Sequence, residues 1–465
     1  MSEHEISMSS LSPESGQRHV AQIKVRGLFG HLNYDVPIVR QGSSQDDLLI
    51  VYGENGSGKT TILKLLYNTL SARRGGGRRT YIARTPFESF EVELSGGYTV
   101  LVTKDQRQLV GSYTQTIMDN VGVSERFDVT ATSDGEVTVD QSVVDMLTRA
   151  LSELHVCLYF LPDDRRVQAD FSDELSDVSP RHRVRLAADH IVPSVLTTEM
   201  GRWIVGSRDD PEVTESHHLR IGPVLASLAD SLRAQAIQGS NTGEENAGSI
   251  YLRVIERLKG VAWSSDGTPV ESASALVQRI QSLNSKILQF SRFGLPVGFP
   301  GDKLLIAFNE ASARDKIAIQ GVLEPYLEGL EARLSALQEL HDIISTYVET
   351  VNYFFSDKIL DPNIQGGISV RSQWKKSIDP NLLSSGERQL LLLLSNTILA
   401  RRKATIFIID EPELSLNVTW QRQFVSALLR CSHGGGIQYI LASHSLELIT
   451  QYKDRTTRLA SLRNG

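Results

Sequence analysis

Residues 48–70 read LLIVYGENGSGKTTILKLLYNTL: an apolar run, a glycine-rich turn and a helical stripe in direct succession. Leu48 to Tyr52 lacks the alternation of a half-solvated strand, which predicts a strand buried on both faces. From Thr60 to Leu70 apolar residues recur at helical spacing, so a helix follows. Between them, Gly53-Glu54-Asn55-Gly56-Ser57-Gly58-Lys59-Thr60 satisfies G-x-x-x-x-G-K-[ST] in its strand, loop and helix context. Glycines let several backbone N–H groups turn toward one point, and the helix start adds partial positive charge, so such a loop cradles phosphates. Lys59 is expected to reach the β- and γ-phosphates and Thr60 to give its hydroxyl to Mg²⁺, with Gly53, Asn55, Gly56, Ser57, Gly58 and Thr61 completing the nucleotide contacts. ATP and Mg²⁺ are the expected ligands.

Two further strands end in chemically capable residues. Thr405 to Ile409 is apolar and delivers Asp410 and Glu411. A Mg²⁺–nucleotide site needs one carboxylate in the metal's shell, the role expected of Asp410, and a second to orient attacking water, the role expected of Glu411. Gln438 to Ala442 ends at Ser443 and His444, where the imidazole is placed to donate to a γ-phosphate. In an open α/β sheet ligands gather at the carboxyl ends of strands.

Leu383-Ser384-Ser385-Gly386-Glu387-Arg388-Gln389 resembles the signature motif of ABC-type ATPases, in the form found in the SMC, recombination-repair and OLD-type branches. The order is also similar: phosphate loop, signature, Asp410-Glu411, a D-loop over Pro412 to Asn417, then a switch histidine, His444. EPELSLNVTWQ followed by ASHSLELI looks closest to the ATPases of bacterial antiphage systems, such as those of the PARIS and Septu type, and to the ATPase half of OLD nucleases. The resemblance implies an α/β ABC-type P-loop ATPase head, a mixed sheet with flanking helices, carrying a large helical insertion. It also implies head-to-tail dimers in which Ser384, Ser385 and Gly386 of one copy close on nucleotide held by another. Glu411, Lys59 and His444 would be the catalytic residues, and a partner effector protein would be controlled by ATP state. The Gln-loop is not legible; Arg165 and Gln168 stand in its region, and Phe29 or Tyr34 is the candidate for stacking on adenine. Only Ser445 to Gly465 follow the switch histidine, so no OLD-type nuclease domain is expected in this chain.

The expected organisation is a flexible tail over 1–17, an N-terminal head lobe over 18–170, a mainly helical insertion over 171–367 and a C-terminal head lobe over 368–465. Phe87 to Leu94 and Tyr98 to Val102 alternate around Ser95-Gly96-Gly97, which predicts a hairpin. Gln238 to Ser249 is polar enough to read as a loop. Leu327, Leu330, Leu334, Leu337, Ile344, Val348 and Val351 mark one amphipathic helix of roughly 40 Å, packed in a helical subdomain or projecting as a coiled-coil arm.

Composition bounds the partners. With 48 basic against 55 acidic residues the net charge is -7, so nucleic acid is not indicated by charge. The basic stretches Arg73, Arg74, Arg78, Arg79 and Arg181, Arg183, Arg185 read as solvated faces or as DNA contacts of an SMC-like clamp in DNA repair or maintenance. Two separated cysteines, Cys157 and Cys431, argue against a disulfide framework and fit a reducing, cytoplasmic setting. No apolar run is long enough for a membrane span.

Overall fold

A computed structural model describes residues 18–38, 47–105, 108–122, 124–163, 168–169, 221–244, 273–295, 297–374 and 376–460. The tail, Arg165 and the Arg181 to Arg185 stretch lie outside them. The chain divides into two compact units, one comprising 1–218, 400–425 and 432–465, the other 219–399 and 426–431.

The first unit is mixed α/β. Its parallel sheet runs β15 (Thr456–Arg458), β3 (Asp47–Tyr52), β14 (Gln438–Ser443), β13 (Ile406–Asp410), β8 (Leu158–Leu161), with β9 (Gln168–Ala169) antiparallel at the edge. Chain-distant strands are thereby neighbours: Tyr52 pairs with Ser443, and Ala442 with Asp410. The strands β13 and β14 are buried at every position, as uninterrupted apolar runs require in a sheet covered on both faces.

A second sheet is antiparallel, in the order β2 (Leu32–Pro37), β1 (Val20–Leu28), β4 (Ser89–Leu94), β5 (Tyr98–Lys104), β6 (Tyr113–Met118), β7 (Ser124–Val129). The expected hairpin is present as β4 and β5, with Gly96 and Gly97 both at φ +80°. Helix α1 (Lys59–Leu70) gives Ile62, Leu63, Leu65 and Leu66 to one apolar core shared with Val25, Phe90 and Val100 of this sheet and Ile408 and Ile440 of the parallel one. Burying each such side chain contributes about 1.5–3 kcal/mol, so this core fixes the axis of α1 and hence the direction of its N-terminus. Helices α2 (Arg78–Arg84) and α3 (Gln141–Ser152) complete the described part between β3 and β8.

In the second unit, α4 (Ile221–Glu244), α5 (Ala273–Arg292), α6 (Gly301–Glu310) and α7 (Ala313–Phe354) accompany a small sheet of β10 (Lys358–Asn363), β11 (Gly367–Ser372) and β12 (Ser377–Ile378). Helix α8 (Ser385–Ala400) belongs to it as far as Leu399. Two expectations need correction. The loop expected from Gln238 is the last turns of α4 as far as Glu244, because Gly239 lets α4 approach α7: a Cβ there would stand 2.8 Å from Leu337. Tertiary contact overrides the weak local preference of a polar stretch. The amphipathic helix is also longer than expected, 42 residues or about 63 Å. Between Leu337 and Ile344 the buried face continues through Leu340, 6% exposed, and His341, stacked on Phe290 at 4.5 Å. Among the described residues no helix is long and apolar enough to cross a membrane.

Candidate functional site

The sheet order brings three strand ends together. Because β14 lies between β3 and β13, the turn after Tyr52, the loop after Ser443 and the carboxylates after Ile409 share one edge. The loop after β3 ends in Gly58, the N-cap of α1, at φ +84°, where a Cβ would also stand 2.8 Å from Leu28 Cδ2. A side chain would be refused there on both counts. Lys59 is buried, and its Nζ donates to Gly53 O at 2.9 Å and Glu54 O at 3.0 Å, inside the turn it closes. No acidic residue occupies the first turn of α1, so the positive end of the helix is not neutralised by its own side chains. Asn55 and Gly56 are exposed, while Ser57 Oγ is buried without a hydrogen-bond partner.

Asp410 is 1% exposed. Burial pushes its carboxyl up to about 6; a hydrogen bond with Thr60 works the other way, while Asp163 and Glu411 add negative charge. A buried carboxylate and a threonine hydroxyl are hard oxygen donors, and a carboxyl that resists ionisation alone is relieved by a cation, so this pair fits Mg²⁺. Among the described residues no cluster of three or more acidic, histidine or cysteine side chains could hold a metal. A Mg²⁺ shared with phosphates and water needs no such cage. Glu411 has φ +48°, uncommon for a residue with a Cβ, and is held there by Glu411 N donating to Ala442 O at 2.9 Å. His444 Nδ1 lies 3.6 Å from Glu411 Oε1 and 3.2 Å from Glu413 Oε1.

Ser384, Ser385 and Gly386 lie in the other unit, where Ser384 caps α8. Its backbone N–H and hydroxyl both donate to Glu387 Oε2 at 2.8 Å, and Glu387 N donates back to Ser384 Oγ at 3.3 Å. This reciprocal capping box satisfies the helix end locally. Burial pushes Glu387 up, but Lys358 at 2.9 Å and the Ser384 donors prevail and leave its carboxyl below the ordinary range. Ser384 and Ser385 remain exposed.

Of the two aromatic candidates, Tyr34 is corrected: it is 3% exposed, facing the core from β2 opposite Val25. Phe29 is 42% exposed and would meet a Cβ at Gly58 at 3.6 Å. Arg79 is also corrected, from surface base to buried brace, donating to Asn68 O and Ser71 O at 3.0 Å each. Gln168 is described only as backbone paired with Phe160. One neighbour escaped sequence reasoning, Tyr81 of α2, whose hydroxyl hydrogen-bonds Thr61, and Glu413 lay inside the expected D-loop with no role assigned to it.

Residues 340–450 match the family model described as "AAA domain, putative AbiEii toxin, Type IV TA system". That stretch holds Leu383 to Gln389, both strand-end carboxylates and His444, while the glycine loop after β3 lies outside it. Similar solved structures include the Smc head domain of Pyrococcus furiosus with an extended coiled coil, bound to the C-terminal domain of ScpA (14% identity, 93% of this chain and 92% of that chain, TM-score 0.36). The SMC head domain of Thermotoga maritima is similar at 11% identity over 93% and 92%, TM-score 0.30. No curated protein matches the chain.

Proposed function

We propose that the chain hydrolyses ATP at a site completed by a second copy of itself and uses the bound or cleaved state to control a partner effector protein, in bacterial antiphage defence. The observation that carries the hydrolytic reading is the shared edge of β3, β14 and β13, where Lys59, Asp410, Glu411 and His444 converge. Lys59, held by two backbone carbonyls, exchanges them for phosphate oxygens. Thr60 and Asp410 would hold Mg²⁺, which when bound neutralises charge on the phosphates. Glu411, strained toward the site, orients and accepts a proton from the attacking water, and His444 donates to the developing negative charge.

Exposed Ser384 and Ser385 at the N-terminus of α8 support a role for this turn, in which Gly386 is itself buried, as the contact offered to a second copy's nucleotide. The helical unit is a large surface for an effector, and the family description, which names a putative toxin of a type IV system, supports the defence part of the reading.

The test mixes two inactive variants. Glu411→Gln should bind ATP and lose turnover by about 10³-fold, as expected for loss of a catalytic base. Lys59→Ala and Ser384→Arg, each inactive alone, should recover part of the wild-type turnover when mixed, since a mixed pair keeps one intact composite site. Absence of recovery would rule out the composite site. ATP turnover stimulated by duplex DNA and suppressed by salt would favour the DNA clamp instead.

A further inference from the structure

Glu413 lies within the stretch expected to form the D-loop, where no role is assigned to its side chain. It is 5% exposed. Its Oε1 accepts from Ser443 Oγ at 2.7 Å, from His444 N at 2.8 Å and from Ser445 N at 3.2 Å, and lies 3.2 Å from His444 Nδ1. Its Oε2 is buried and makes no hydrogen bond, so one oxygen collects the whole set of donors. Two of these donors are backbone groups just past the end of β14, where the sheet ladder has stopped and N–H groups need other partners. Glu413 thus stands in for the missing strand. Its own turn is equally constrained: Leu414 N donates to Glu411 O at 3.2 Å, Leu416 N to Glu413 O at 2.9 Å, and both Glu411 and Ser415 have positive φ.

We propose that Glu413 is a positioning residue that joins the turn carrying Glu411 to the loop carrying His444, so that base and phosphate sensor are displaced together. The inference rests on the ATPase reading for its kinetic part and on the geometry alone for its anchoring part. The donors on Oε1 come from three consecutive residues, 443–445, so removing the carboxylate frees the loop as a whole. His444 then loses its place beside Glu411, and a displacement of about 1 Å at a catalytic group costs on the order of 10²-fold.

The experiment compares Glu413→Ala, Glu413→Gln, His444→Ala and the double Glu413→Ala/His444→Ala in the full chain. Glu413→Ala should lower kcat by about 10- to 100-fold with nucleotide affinity within about twofold. Glu413→Gln, which keeps an oxygen for the same donors, should recover most of the loss. The double variant should be no slower than His444→Ala alone, because the two act as one unit. Hydrogen exchange without nucleotide should show the His444 and Ser445 amides exposed in Glu413→Ala and protected in Glu413→Gln. Additive kinetic losses, or amides that stay protected in Glu413→Ala, would overturn the proposal. If the wild-type chain turned over no ATP, the ATPase reading would fall, and the exchange data would still decide the anchoring.

Discussion

Lys59 and Lys104 are both buried lysines of the same unit in opposite surroundings, and burial pushes the Lys104 amine down to about 7. Lys104, at the end of β5, donates to Ala83 O at 2.9 Å, Thr85 O at 2.6 Å and Leu109 O at 3.0 Å, and lies 4.3 Å over the Phe87 ring. Two of these carbonyls end α2, so the amine closes a helix terminus against the antiparallel sheet. Arg79 does the same for Asn68 O and Ser71 O at the end of α1. Lys59 holds only carbonyls of the loop it belongs to, beside a carboxyl that burial keeps near 6 and a glutamate at positive φ. Beside the antiparallel sheet, buried basic side chains close helix ends; at the carboxyl end of the parallel sheet, polar groups are left in states that a ligand would improve.

The contrast can be broken by substitution. Lys104→Met should cost about 4 kcal/mol of stability, because three buried carbonyls lose a donor, while nucleotide affinity stays within about twofold. Thermal melts and nucleotide titrations on the same sample check both halves. Lys59→Met should do the reverse, weakening ATP binding by about 100-fold with a much smaller shift in melting than Lys104→Met. If the two lysines gave the same pair of effects, the distinction would fail.

Asp410 sharpens the contrast through pH. Its folded value of about 6 exceeds the ordinary 3.8, so the folded state holds the proton more tightly than the unfolded one. The resulting stabilisation is present below about 4 and lost as pH rises through about 6. In the absence of nucleotide and Mg²⁺, Asp410→Asn should therefore melt higher than wild type at pH 8, by about 2 kcal/mol, and equal it at pH 4. A variant less stable than wild type at pH 8 would contradict a carboxylate held at a cost. The smallest effect is expected at the edge of the site: Phe29→Ala should weaken ATP by about fivefold, from lost ring contact, and inorganic triphosphate not at all. Equal weakening of both would remove Phe29 from the base and assign it to packing beside Gly58.

Much of the site was readable because its residues are tied to local rules. A glycine turn between a doubly buried strand and a helix has few other uses, and Ser384 with Glu387 spells a capping box in sequence. Arg79 was misread because basic residues in a glycine-rich stretch look solvated, and nothing in Arg73 to Arg79 announces that two helix-end carbonyls await one of them. Gln238 to Glu244 was misread for a similar reason: polarity suggested a loop, while Gly239 was needed for close approach to Leu337. Tyr81 carried no signal, and Glu413, although inside the expected D-loop, carried none of its role, since their partners lie at Thr61 and at residues 443–445.

By itself the sequence determined the strand, glycine loop and helix over 48–70, the carboxylates at the end of Ile406 to Asp410, the cap of α8 and the existence of α7, because each depends on residues within a few positions of one another. Tertiary structure decided what lies beside what: that β14 runs between β3 and β13, that His444 stands 3.6 Å from Glu411, and that Glu413 fastens the loop between them. Strand order and buried charge depend on which distant segments share a core, and that follows from packing free energy summed over the whole unit rather than from any local pattern.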